Sequence, residues 1–138
     1  MGGTWMVRGA LLVALALVGS PIEAGAQGKI VMSRLPSHAA QLKSALRSVL
    51  SAQVKHHTAK RTYAPSVEAL RLPPSPGVTV EILAAGPSGW QARAMHQEQP
   101  GRSCVIFVGS VEGGERPRTD GDRDMAGEEG VPLCDRMR

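Results

Sequence analysis

Between Leu35 and His57 the apolar and small positions recur at steps of four, three, four, three and four. They are Leu35, Ala39, Leu42, Leu46, Val49 and Gln53, with Ala45, Leu50 and Val54 beside them. This period predicts one α-helix with a single buried stripe. Lys43, Arg47 and Lys55 fall off the stripe. Ser33 or Ser37 can cap the start, and Pro36 suits the first turn, where a missing N–H costs nothing. A lone stripe needs a partner surface, and no other segment is strongly helical, so the partner is expected to be a sheet.

The pattern then changes period. Thr58 to Pro76 is a connection in which Pro65, Pro73, Pro74 and Pro76 forbid regular ladders. Tyr63 and Leu70 are its expected anchors, with a short helical turn from Ser66 to Arg71. Val78, Val80 and Ile82 alternate with Thr79 and Glu81, which is the signature of a half-buried strand. After the turn Gly86-Pro87-Ser88-Gly89, Trp90, Ala92 and Ala94 alternate with Gln91, Arg93 and Met95. The short link makes the pair an antiparallel hairpin. Ala92 and Ala94 leave room for a close helix, and Trp90 is read as core. Pro100-Gly101 marks another turn. Val105 to Val108 is nearly all apolar, which suggests a strand buried on both faces. Glu112 to Gly130 is polar and glycine-rich and cannot build a core of its own. The apolar pattern returns at Val131-Pro132-Leu133-Cys134.

The first residues read as an address. Arg8 precedes the run ALLVALALV from Ala10 to Val18; Gly19, Ser20 and Pro21 break it, and Ala24-Gly25-Ala26 is an A-x-A cleavage site. This is the layout of a secretory signal peptide. The alternative is an uncleaved anchor reaching Ile22. Cleavage after Ala26 leaves 112 of the 138 residues. The expected organisation is a signal peptide at 1–26, a short linker at 27–34 and a domain at 35–138. Export places Cys104 and Cys134 in an oxidising space, where a disulfide is favoured over two free thiols.

Charge and composition refine this picture only a little. Aromatic residues make up 3% of the chain, so the core must be small and aliphatic. Lys29 to Arg61 carries seven basic residues and no acidic one, while Glu112 onward carries eight acids and five bases. With no aromatic residue among the basic ones, the run reads as a solvated face, and no nucleic-acid partner is expected.

Taken in order, LRSVLSAQ at Leu46–Gln53, RTYA at Arg61–Ala64, SPGVTVEI at Ser75–Ile82, GWQARAMH at Gly89–His96, CVIFVG at Cys104–Gly109 and GVPLC at Gly130–Cys134 resemble the globular head of bacterial type IV pilins and type II secretion pseudopilins. The resemblance covers roughly residues 38 to 135. It implies an α+β fold: an N-terminal amphipathic helix packed on a three- to four-stranded antiparallel sheet, with a C-terminal loop closed by the Cys104–Cys134 disulfide. The departure is at the start. Gly2 and Gly3 precede Thr4, Trp5 and Met6, and no acidic residue introduces the short apolar run, so a prepilin leader is not recognisable.

Candidate chemistry is sparse. Asp120, Asp122 and Asp124 begin an oxygen-rich calcium spacing, but Met125 and Val131 stand where an EF-hand needs glycine and glutamate. Glu128 and Glu129 could complete a looser site, and some pseudopilins hold calcium in this loop. A solvated acidic loop is the preferred reading. His56 and His57 are adjacent on a helix and point about 100° apart, so they do not share a metal. His38 reads as an exposed first-turn residue. Ser110 lacks the nucleophile-elbow pattern. No catalytic, cofactor or metal residue is assigned, and the chain is expected not to be an enzyme. The expected function is that of an exported structural or interaction protein beside a pilus or type II secretion apparatus, with protein partners and no stable membrane span. The alternative is a soluble periplasmic binding module that kept the shape. A small exported hydrolase, joining His96 and Ser110 with an acid, comes third.

Overall fold

The computed structural model describes residues 2–3 and 35–138. Apart from Gly2 and Gly3, the expected signal peptide and linker lie outside the described residues. Helix α1 runs from His38–Lys60, one turn beyond the expected end. Ser37 is its N-cap, and its hydroxyl accepts the Ala40 N–H at 3.2 Å. Pro36 therefore sits before the cap and not in the first turn. Leu35 falls off the stripe and is 88% exposed, because the helix has not yet begun there. Leu42, Leu46, Val49 and Gln53 are buried as the stripe requires. Each fully buried aliphatic side chain contributes about 1.5–3 kcal/mol. The helix stops at Arg61, whose φ of 61° turns the chain into the left-handed region.

The connection carries a 3-10 turn at Glu68–Leu70, with Tyr63, Leu70 and Leu72 half-buried against the core. Strands β1 (Val78–Ala85), β2 (Gly89–His96), β3 (Ser103–Gly109) and β4 (Leu133–Cys134) follow. They form a four-stranded antiparallel sheet in sequence order. The fold is α+β, with one helix on one face of the sheet. Val80 faces Ala94 and Ile82 faces Ala92; Ala94 in turn faces Cys104 and Ala92 faces Ile106. The alternation places Trp90, Ala92, Ala94, Cys104 and Ile106 under α1, in one core with Leu42, Leu46 and Val49. The alanines of β2 let the helix lie close, and Trp90 is core, as expected.

The opposite face of β3 is buried as well. Val105 and Phe107 pack with Ala126 and Leu133. The glycine-rich segment supplies this cover, together with buried Pro117, Thr119 and Pro132. It builds no core alone, but it roofs β3, which is why the β3 run lacks alternation. At the far end, Gly109 (φ 63°) crosses Gly89; a Cβ on Gly109 would lie 2.0 Å from the Ser88 carbonyl oxygen. Only glycine fits there.

Gln53 is the polar member of the stripe and is fully buried. Its Oε1 accepts the Ala64 N–H at 2.7 Å, and its Nε2 donates to the Ala64 carbonyl at 2.9 Å. One amide thus satisfies both backbone groups of a buried residue outside any ladder. Gln53→Ala is expected to cost about 3 kcal/mol, because both Ala64 groups lose their partner without reaching water. Urea denaturation checks the figure.

Candidate functional site

Two regions concentrate polar chemistry. The first is the stapled C-terminal loop. Cys104 and Cys134 are bonded and stand directly opposite each other on β3 and β4. Next to Cys134, the buried Asp135 carboxylate gathers the loop. Its Oδ2 accepts the N–H groups of Ser103 and Gly121, each at 2.8 Å, and its Oδ1 accepts that of Asp122 at 2.6 Å. Burial alone would raise this carboxyl. The Thr119 hydroxyl and the three N–H groups outweigh burial and hold it below the ordinary aspartate value.

The acidic triplet is spent largely inside the chain. Asp120 pairs with Arg93 at 3.1 Å, and Arg93 also reaches Glu81 at 2.5 Å. The Glu81 hydrogen bond, working against desolvation and joined by Asp120, raises the Arg93 guanidinium above its usual value. Asp122 pairs with Arg102 at 2.9 Å and accepts the Arg136 N–H at 2.7 Å. Asp124 bonds Thr119 through its backbone N–H and carbonyl. Beyond the triplet, Glu129 accepts the Gly109 N–H, and the Arg116 guanidinium lies 4.9 Å from the Phe107 ring centre. These contacts knit the loop onto β2 and β3. Its outward residues, among them Glu112, Glu115, Arg118, Arg123 and Glu128, stay exposed.

The second region was not anticipated. His38 opens α1, His96 closes β2, and Glu98 lies in the turn that follows. The imidazole centres of His38 and His96 are 4.4 Å apart. His38 Nε2 lies 2.9 Å from Glu98 Oε2, and His96 Nδ1 lies 4.0 Å from the same oxygen. His38 is thus not simply an exposed first-turn residue; its side chain is 30% exposed, and that of His96 is 5% exposed. Gly77, at φ 73°, packs against the His96 ring; a Cβ there would come 3.0 Å from Cε1 and Nε2. The one signal in the chain is H-x-E at His96 and Glu98, which the turn after β2 brings together as the Glu98 N–H donates to His96 Nδ1 at 3.1 Å.

The remaining histidines are structural ties. His56 bonds the Thr62 carbonyl at 2.8 Å, and His57 bonds the Pro87 carbonyl at 3.0 Å while stacking on Tyr63. Ser110 neighbours Ser88, beside the start of β2, whereas His96 closes that strand. At a rise of about 3.3 Å per residue the two are roughly 20 Å apart, so they form no joint triad. An apolar groove also opens between α1 and β1, lined by Ala45, Ser48, Val67, Leu72, Val78 and Val80. Set beside known proteins, the chain matches no protein-family model and no curated sequence.

Proposed function

We propose that the chain is an exported pilin-like structural or interaction protein, an accessory of a type IV pilus or a type II secretion system. The reading is carried by one arrangement: a 23-residue helix laid across an antiparallel meander, with a C-terminal loop stapled to β3 through Cys104 and Cys134. A disulfide persists where the surroundings are oxidising, which supports export. Among the described residues no helix is long and apolar enough to cross a membrane.

The loop is the surface that meets partners. The disulfide, the Asp135 carboxylate and the two arginine pairs hold it before any partner arrives. A pre-ordered loop loses little conformational freedom on docking, so more of its contact energy appears as affinity. Recognition then runs through loop shape and alternating surface charge.

Fractionation of cells carrying a pilus or type II secretion apparatus tests this reading. The chain is expected to co-purify with the inner-membrane assembly, and Glu128→Lys with Arg123→Glu is expected to weaken that association at least tenfold without unfolding the domain. Recovery wholly in the soluble periplasm, with no assembly attached, overturns the accessory role in favour of a free periplasmic module.

A further inference from the structure

We propose that His38, His96 and Glu98 form a binding site for a zinc-class divalent cation. The three residues offer donor atoms that all lie within 4.8 Å of one another, from the start of α1, the end of β2 and the turn beyond it. A tetrahedral ion held at about 2.0–2.1 Å from each donor sets the donors roughly 3.3 Å apart. Glu98 Oε2 stands 2.9 Å from His38 Nε2 and 4.0 Å from His96 Nδ1, and no donor pair is wider than 4.8 Å, so shifts of up to about 1.5 Å close the site. Glu98 is 65% exposed and free to move, and the part-exposed His38 ring closes the remaining gap to the buried His96 ring.

The donor set selects the ion. Two imidazoles and one carboxylate suit zinc, nickel or copper, whereas calcium and magnesium prefer oxygen shells. Three protein ligands leave a fourth position for water or for a group from a partner.

The second layer of contacts orients His96 for this task. Gln41 Nε2 donates to the Pro36 carbonyl at 2.9 Å, which fixes Gln41 Oε1 as the acceptor facing His96 Nε2 at 3.2 Å. His96 therefore carries its proton on Nε2, and the Nδ1 lone pair is directed to the Glu98 side. An imidazole N–H held by a carbonyl is the usual support of a histidine ligand. At present Nδ1 accepts the Glu98 backbone N–H at 3.1 Å, a bond that coordination replaces.

His38 must change more. Its Nε2 now donates to Glu98, and its Nδ1 accepts from Gln99 Nε2 at 3.1 Å. Coordination through Nε2 moves that proton to Nδ1, so the Gln99 amide must turn its oxygen toward His38. That amide also clasps the Arg138 backbone, through Oε1 at 3.0 Å and Nε2 at 2.8 Å. Loading the site therefore unclasps Arg138, and the last residues report occupancy.

Calorimetric titration of the untagged protein with zinc chloride tests the site. One zinc per chain is expected, with a melting temperature raised by several degrees and amide NMR shifts at Gln99 and Arg138. Calcium chloride is expected to do none of this. His38→Gln and Glu98→Gln alter half-exposed side chains and should fold; each is expected to weaken zinc binding at least tenfold, while Asp122→Ala leaves it unchanged. Less than half an equivalent bound at 100 µM zinc, or affinity untouched in both variants, overturns the proposal.

Discussion

Replacing both cysteines, as Cys104→Ala with Cys134→Ala, is expected to lower the unfolding free energy by about 3.5 kcal/mol or more. The bridge spans a sequence separation of 30 residues, and closing such a loop in the unfolded chain accounts for most of that figure. Cys104 is also fully buried in the core, so truncation adds a small cavity term. The loss is large against the roughly 5–15 kcal/mol that holds a domain of this size. The damage should be uneven. β4 has two residues and is held to β3 at Cys104–Cys134 and Val105–Leu133, so the roof over Phe107 loosens before α1 leaves the sheet. Hydrogen exchange should reveal faster opening at Gly121, Asp122 and Gly130 than in α1. In urea denaturation the reduced wild type should lie close to the double variant, above it only by the cavity term; a difference between reduced and oxidised wild type below about 1 kcal/mol would refute the loop-closure account.

Asp135→Ala is the second large effect, about 3–4 kcal/mol. It removes the acceptor of the buried Ser103 N–H and of the part-buried Gly121 and Asp122 N–H groups at once, each a hydrogen bond to a charged oxygen. The same residue sets an acid limit. Its folded value lies below the 3.8 of an ordinary aspartate. The stability it contributes is therefore complete above that value and is lost as pH falls through the folded one. Asp135→Asn should be less stable than wild type at neutral pH, and the gap should close as the pH is taken below 3.8. A gap that stays constant down to pH 2 would show that the carboxylate charge plays no part.

The helix and the first two strands were legible because each shows one face to the core, and a one-sided burden leaves a period; β3, covered on both faces, was legible as an unbroken apolar run. Leu42, Leu46 and Val49 show it at 3.6, and Val78, Val80 and Ile82 show it at two. The disulfide was legible from two cysteines read together with an expected signal peptide. The roof was not. Pro117, Thr119 and Ala126 have no period, since the loop is tied by individual backbone bonds and by a carboxylate that precedes Arg136. Gln53 kept step with the stripe, but the reason for a polar residue there, its clasp on Ala64, lies eleven positions away and leaves no period. The histidine cluster was hidden by distance, because His38 and Glu98 lie sixty positions apart and only the closing of α1 over β2 joins them. Local spacing pairs His96 with Glu98 but carries no trace of His38 joining them.

Strand β1 is the sheet's outer rim among the described residues, yet its register slips between Ile82 and Ala84, leaving Leu83 as an extra residue opposite no partner. A kinked rim bearing Glu81 is a poor template for fibril growth, since a second chain cannot zip along it without breaking step. Deleting Leu83 would straighten that rim, and seeded aggregation is the hazard such a protein would then face.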